Sequence, residues 1–388
     1  MDFDFTEEQV MLRNVARELL AEKCTTRQVR QLMEAPVGSR WDRALWQQLA
    51  EVGLLGVTID EQFGGQGLGM VEQAIALEEV GRAVMPGPYL ATVLATAALR
   101  AGGDRGQMAS YLPKIASGEL TATVAVVEES VSWSADAIRL KAPPQAGEYR
   151  LSGRKLFVPW AKSADLILVA ARTRETGDPE RGITLFAVEQ GSPGLTATPN
   201  EGIDQTSRTG TVELDGVQVR REAIIGRLDE GWEILRAVLQ HAAVGAAAEM
   251  LGAARKSLEM SVEYAKVRHQ FGQPIGAFQA VKHMCAEMLM EVENAHAATY
   301  YAAWALDAGA PDAALAASVA KSYVNEAARK VCGTAIQVHG GIGFTWDYDL
   351  HLYFKRAKQL DAMYGDAEAH RELVLRQVLE PVGVAVLA

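Results

Sequence analysis

The constraint that bears hardest on this chain is the length of its helical runs beyond residue 230. Trp232–Lys266 is rich in alanine and free of proline, and Phe278–Ala308 and Ala313–Ala335 follow after short breaks. Helices of that length joined by short loops bury their apolar stripes against one another, which predicts an antiparallel four-helix bundle. Small residues crowd the first run (Ala242, Ala243, Gly245, Ala246, Ala247, Ala248). They permit close helix approach, within the bundle or between subunits.

The remainder divides by texture. From Thr6 to about Leu120 the pattern is helical. Thr6-Glu7-Glu8-Gln9 reads as a capping box, in which the threonine oxygen accepts a first-turn N–H and the glutamine reaches back. Met11, Val15 and Leu19 then recur at i+4 on one face. Trp41–Val52, Val71–Val80 and Tyr89–Arg100 are further helices, separated by glycine or proline clusters. From Thr121 short β-branched runs take over (Thr121–Val127, Leu166–Ala171, Thr184–Val188, Thr211–Leu214), with turn signals such as Asp215-Gly216 between them. The expected architecture is α+β: an N-terminal helical domain over 1–120, a central antiparallel β domain over 121–226, and a C-terminal four-helix bundle over 227–388.

Charge and composition narrow the function. The 388 residues carry 38 Lys and Arg against 49 Asp and Glu, a formal charge of −11. An acidic chain attracts neither a nucleic-acid backbone nor an anionic membrane surface, so neither partner is expected. No stretch reads as a membrane span, and the acidic start Met1-Asp-Phe-Asp-Phe-Thr6 has no apolar run of a secretion signal. Cys24, Cys285 and Cys332 stand far apart, as reduced thiols of a cytoplasmic protein would. The histidines form no metal-binding spacing, so no metal is expected. Gly64-Gly65-Gln66-Gly67-Leu68-Gly69 fails the G-x-G-x-x-G spacing and lacks a βαβ setting, and reads as a loop between helices.

One segment carries chemistry. Tyr264-Ala-Lys-Val-Arg268-His-Gln270-Phe271-Gly272-Gln-Pro274-Ile-Gly276-Ala-Phe278-Gln279 breaks a helix at Gly272-Gln-Pro274 and presents an arginine, an amide and an aromatic ring at its end. Those groups suit a cofactor with phosphates, hydrogen-bonding edges and flat rings. A plain turn with a satisfied cation has the same composition. The whole pattern resembles the signature of the acyl-CoA dehydrogenase family. So do Gln337-Val-His-Gly340-Gly341-Ile-Gly343-Phe344-Thr345, Phe354-Lys355-Arg356-Ala357-Lys358, the Phe63-Gly64-Gly65 loop and the α–β–α order. The resemblance implies that Arg268, Gln270, Phe271 and Gln279 contact FAD. Gln337, Gly340 and Gly341 would contact an FAD held mainly by the neighbouring subunit, the glycines allowing close backbone approach. It also implies a tetramer, an acyl-CoA thioester substrate and an electron-transfer flavoprotein as acceptor. In the family a carboxylate removes the α proton while hydride passes from the β carbon to the flavin, and hydrogen bonds stabilise the developing enolate.

Several positions depart from that pattern. Counted without gaps, Tyr364 of Met363-Tyr364-Gly365-Asp366 occupies the family's usual glutamate position, and Ala242 its alternative on the first long helix. A phenol of pKa near 10 is ionised about one part in a thousand at pH 7, so using it as base costs on the order of 4 kcal/mol. Phe157-Val158-Pro159 replaces a stretch whose threonine hydrogen-bonds near the flavin, and proline offers neither hydroxyl nor N–H. By the same resemblance, Val127-Glu128-Glu129-Ser130-Val131-Ser132 stands where the family has a Thr-Glu-Pro-x-Ala-Gly-Ser-Asp-like loop, here decayed. Replacement bases are Asp366, which also reads as the N-cap of a helix over Ala367–Leu379, and Glu249, which also reads as a carboxylate paired with a basic residue. Three readings follow. The chain is the partner subunit of a heteromeric acyl-CoA dehydrogenase, as the Gly365-Asp366-Ala367-Glu368-Ala369-His370-Arg371 ending suggests by its likeness to actinobacterial heteromers of CoA-ester and steroid degradation. It is an active homotetramer using Asp366 or Glu249, or it is a non-enzymatic FAD-binding relative.

Overall fold

The structure, a computed structural model, describes residues 4–35, 40–145 and 147–379, so Met1–Phe3 of the acidic start lie outside the described residues. In chain order the helices α1 (Glu7–Lys23), α2 (Thr26–Glu34), α3 (Arg43–Glu51), α4 (Met70–Arg82), α5 (Tyr89–Gly102) and α6 (Arg105–Ala116) come first. Strands β1 (Ala122–Ala125), β2 (Pro144–Gln145), β3 (Glu148–Pro159), β4 (Leu166–Arg172), β5 (Ile183–Glu189), β6 (Leu195–Pro199), β7 (Thr209–Val219) and β8 (Ile224–Ile225) follow. Then come α7 (Gly231–Val267), the short strands β9 (His269–Gln270) and β10 (Gln273–Pro274), α8 (Gln279–Asp307), α9 (Ala313–His339), α10 (Leu350–Ala362) and α11 (Ala367–Leu379). Two compact units emerge. One takes residues up to Gln31, Gly69–Met85 and the chain from Ala243 on; the other takes Leu32–Leu68 and Pro86–Ala242.

The first unit is helical. Thr6 forms the expected capping box, its side chain accepting from Gln9 N while Gln9 returns a bond to the Thr6 N–H. In the C-terminal part α9 packs against α8, α10 and α11. The two buried acids of α4 are matched: Arg17 grips Glu79 at 2.6 and 3.0 Å, and Arg255 Nε (2.9 Å) and Tyr300 OH (2.7 Å) donate to Glu78. Two glycines set the spacing of α4 and α7. A Cβ on Gly81 would fall 1.9 Å from Glu249 O, and one on Gly252 would fall 1.9 Å from Glu78 O. Backbone lies on backbone here, so neither position admits a side chain.

The second unit builds its core from two sheets, ordered β1-β4-β5-β8 and β2-β3-β7-β6. Leu151, Val158, Val212 and Leu214 of one sheet pack with Ile167, Val169, Phe186 and Val188 of the other. Every strand pair is antiparallel except β1 and β4, which run parallel from Ala122↔Leu166 to Ala125↔Val169. The central domain is thus mainly, not wholly, antiparallel. Strand β3 breaks register with β7 between Lys155 and Val158. That bulge puts Phe157 at φ +51 and leaves it 41% exposed.

The reading of no membrane-length segment needs one correction. Helix α7 is long and apolar enough by length and composition, with a mean hydropathy of 1.2 over its best window, yet 72% of that window is buried inside the molecule. It is built as a core helix.

Gly81→Ala and Gly252→Ala should each destabilise the fold by about 1–3 kcal/mol, because a backbone, not a flexible side chain, must give way. Gly333→Ala, whose Cβ would meet only Phe354 at 3.7 Å, should be neutral or stabilise by up to about 1 kcal/mol. Urea midpoints of the three variants check the contrast.

Candidate functional site

The end of α7 is shaped by a two-residue hairpin. Gln270 pairs with Gln273 across β9 and β10, and the loop residues Phe271 and Gly272 take φ of +52 and +79. Positive φ at both central positions is the type I′ pattern, in which glycine is at home and phenylalanine is strained. Phe271 is consequently thrust outward, 92% exposed. Arg268 and Gln270 are exposed beside it, and Arg268 has no carboxylate partner among the described residues. The satisfied-cation reading of this turn is therefore not what the structure holds.

The end of α9 is joined to α7 through aromatic rings. Tyr264 stacks on His339 with centroids 4.2 Å apart, and His339 meets Tyr348 at 4.8 Å. His339 Nδ1 faces Ala335 O at 2.8 Å and so must carry the proton, leaving Nε2 to accept from Tyr348 OH at 3.1 Å. Burial lowers the His339 pKa and favours this neutral form. Just beyond, Gly340 takes φ +65 and ψ −141, a conformation closed to residues with a Cβ. A Cβ on Gly340 or on Gly341 would meet nothing within 4 Å in this chain. Gln279, Gln337, Gly340 and Gly341 are all exposed. An unpaired guanidinium, exposed amides and bare glycine backbone fit the phosphates and hydrogen-bonding edges of FAD, and they face outward.

The turn carrying Tyr364 is held differently. Tyr364 is 7% exposed and has φ +62. Burial pushes its phenol above the ordinary range, and the charge of Glu249 adds to the effect. His370, on α11, lies 3.0 Å from Tyr364 O through Nε2, which must therefore be protonated and donating. Its Nδ1 is buried without a hydrogen-bond partner. Burial, with the Lys321 charge adding, drives the imidazole pKa down to about 4. Lys321, fully buried on α9, donates from Nζ to Asn325 Oδ1 (2.7 Å), Leu360 O (2.9 Å) and Gly365 O (3.0 Å). Burial lowers that ammonium to about 7.

Both substitute carboxylates have structural partners. Asp366 Oδ1 accepts from Ala369 N at 2.8 Å, the geometry of a helix N-cap. Glu249 is 5% exposed and pairs at 3.3 Å with Arg356, itself 2% exposed and bonded at 3.1 Å to Met85 O. Ala242 is fully buried. In the second unit Pro159 O accepts from Thr123 Oγ1 at 2.7 Å. Glu128 of the Val127–Ser132 loop takes bonds from Lys155 Nζ (2.7 Å), Arg139 N and Leu140 N, with burial lowering the lysine to about 8. Sequence reading alone did not single out Lys321, His339 or Arg356 in these roles, since each partner lies far away in the chain or shows no spacing signal.

Three family models match in chain order: acyl-CoA dehydrogenase N-terminal domain over 6–119, middle domain over 123–217 and C-terminal domain over 229–379. The acryloyl-CoA reductase (NADH) of Anaerotignum propionicum is 30% identical over 392 residues, covering 98% of this chain and 96% of that protein. The ChsE4-ChsE5 complex from Mycobacterium tuberculosis contains a chain that superposes with a TM-score of 0.88 at 29% identity, over all of both chains. Butyryl-CoA dehydrogenase from Megasphaera elsdenii gives 0.89 at 27% identity, over 98% of this chain and 100% of that one. The chain belongs to the acyl-CoA dehydrogenase family. Its members are FAD-dependent oxidoreductases acting on acyl-CoA, which bears out the expected fold and cofactor.

Two outcomes test the geometry. Arg268→Ala should weaken FAD retention about tenfold to a hundredfold, the equivalent of a charge-assisted contact of about 1.5–3 kcal/mol; equilibrium dialysis of the folded variant assembled with its partner chain measures it. Because His370 titrates lower in the folded chain than unfolded, its contribution to stability is full above about pH 6.5 and is lost as pH falls toward 4. At about 1.4 kcal/mol per pH unit that loss is on the order of 3 kcal/mol. His351, which burial also lowers to about 4, contributes in the same direction, so urea unfolding from pH 7 to 4 should show the combined dependence in the wild type and lose the His370 share of it in His370→Asn.

Proposed function

We propose that this chain is the subunit of a heteromeric acyl-CoA dehydrogenase that lends FAD contacts to a partner chain of the same fold and lacks a working base of its own. The observation that carries the reading is an asymmetry. The groups suited to FAD (Arg268, Gln270, Phe271, Gln279, Gln337, Gly340 and Gly341) lie exposed on the surface of the first unit. The groups at the base positions are a buried phenol held protonated, Tyr364, and a methyl group, Ala242. Pro159 adds the loss of a side-chain donor at the flavin-side position.

In this role the partner supplies the carboxylate that takes the α proton of the acyl-CoA. FAD, when bound, would supply the hydride acceptor for the β carbon and pass electrons to an electron-transfer flavoprotein; this chain's own residues would serve to hold it. Arg268 would neutralise phosphate charge, while Gly340 and Gly341 admit the cofactor to the backbone at a distance that a Cβ would prevent. The known ChsE4-ChsE5 assembly shows that this fold enters two-component complexes.

The test is flavin bleaching under anaerobic conditions with a series of acyl-CoA thioesters. The purified chain should bleach at least about a thousandfold more slowly than the same chain co-expressed with a glutamate-bearing partner chain of the same fold, as expected for loss of a general base with supporting contacts. Rapid bleaching by the chain alone would contradict the proposal and turn attention to Asp366 and Glu249 as bases.

A further inference from the structure

The Tyr364 turn is fixed from both sides. Lys321 Nζ holds the carbonyls of Leu360 and Gly365, before and after the tyrosine. Asn325 Nδ2 adds a bond to Asp361 O at 3.2 Å. His370 holds the carbonyl of Tyr364 itself. A Cβ on Gly365 would lie 2.9 Å from His370 Nε2, so the turn is seated directly on that ring. Tyr364 is a bulky residue in the left-handed region, a conformation that persists only where the surroundings over-determine it. Three buried side chains, Lys321, Asn325 and His370, supply that determination. The backbone of the turn, and with it the direction of the Tyr364 Cα–Cβ bond, cannot shift without giving up these hydrogen bonds.

A catalytic base at this position needs an oxygen standing in open space, with room beyond it for the acyl end of a thioester. Here the side chain is 7% exposed instead, in an interior that already holds the Glu249–Arg356 pair. We propose that Tyr364 is a built-in plug: the clamped turn sets its ring in the space that the acyl end of a CoA thioester would take, so this chain excludes acyl-CoA from its own position. This rests on the proposed reading of position 364 as the place of the missing base, and it goes further, from a base that is absent to a substrate that cannot enter. Lys321 and His370 are then positioning residues of the plug.

The experiment is calorimetric titration of the full-length chain, with FAD in excess, by crotonyl-CoA. The wild type should show no saturable binding up to about 1 mM, whereas Tyr364→Gly, which removes the ring and suits the positive φ, should bind at least about tenfold more tightly. Tyr364→Asn, also tolerant of that backbone, provides the same opening should the glycine variant fold poorly. Tyr364→Phe keeps the ring and should stay closed. Saturable binding by the wild type, folded Gly and Asn variants that bind no better, or a Phe variant that binds like Gly would each overturn the plug. The partner reading is judged separately by flavin content. A lone chain with a full complement of FAD whose Gly variant gains thioester binding would keep the plug and remove the partner. A wild type that binds crotonyl-CoA yet retains little FAD would do the reverse.

Discussion

From Ala242 to Met250, helix α7 is buried at every position, and its first seven residues in that stretch are alanine, glycine and one valine. Side chains this small cannot hold neighbouring helices apart, so α4 comes down until its backbone meets that of α7 at Gly81 and Gly252. Much follows from this contact. It encloses Glu78 and Glu79 of α4, which must then find Arg17, Arg255 and Tyr300. It also leaves Glu249 facing the interior, where an unpaired carboxylate would be untenable and Arg356 answers it. Removing either member of that buried pair would strand the other, whereas the pair itself adds little net stability.

The same helix separates two kinds of polar chemistry within one unit. At its middle, polar groups are paired, buried and turned to structural use. At its end, past Val267, the chain exposes Arg268, Gln270 and Phe271, the last touching only the edge of Phe278 among the described rings. A phenylalanine 92% exposed on a strained type I′ turn is an expensive arrangement for an isolated chain. It makes physical sense as a contact waiting for another surface, and the bare glycines at 340 and 341 are of the same kind.

Much of this was legible in the sequence, for reasons that differ by element. The runs of α7 and α8 were read to within about one residue at each end, because long helices average their periodic signal over many turns. The read boundary of α9 fell short at Ala335 where the helix continues to His339. Asp366 capping α11 was legible since N-cap chemistry is local. Strand β3 was not read: its outward positions carry Arg150, Ser152 and Arg154, and its bulge breaks the alternation. The parallel pairing of β1 with β4 was invisible for another reason, since partners over 40 residues apart leave no local trace. At the site, motifs located Arg268, Gln337 and Gly340, but only the structure shows that they face outward. Likewise a basic partner for Glu249 was foreseeable in kind, while its identity, Arg356, 107 residues on, was not.

The central claim is that this chain completes a flavin site belonging to another chain. Native mass spectrometry of the co-expressed complex counts chains and cofactors together and tests it most directly. The account predicts a tetramer of two copies of this chain and two of a partner, with two FAD. A homotetramer of this chain carrying four FAD would contradict it.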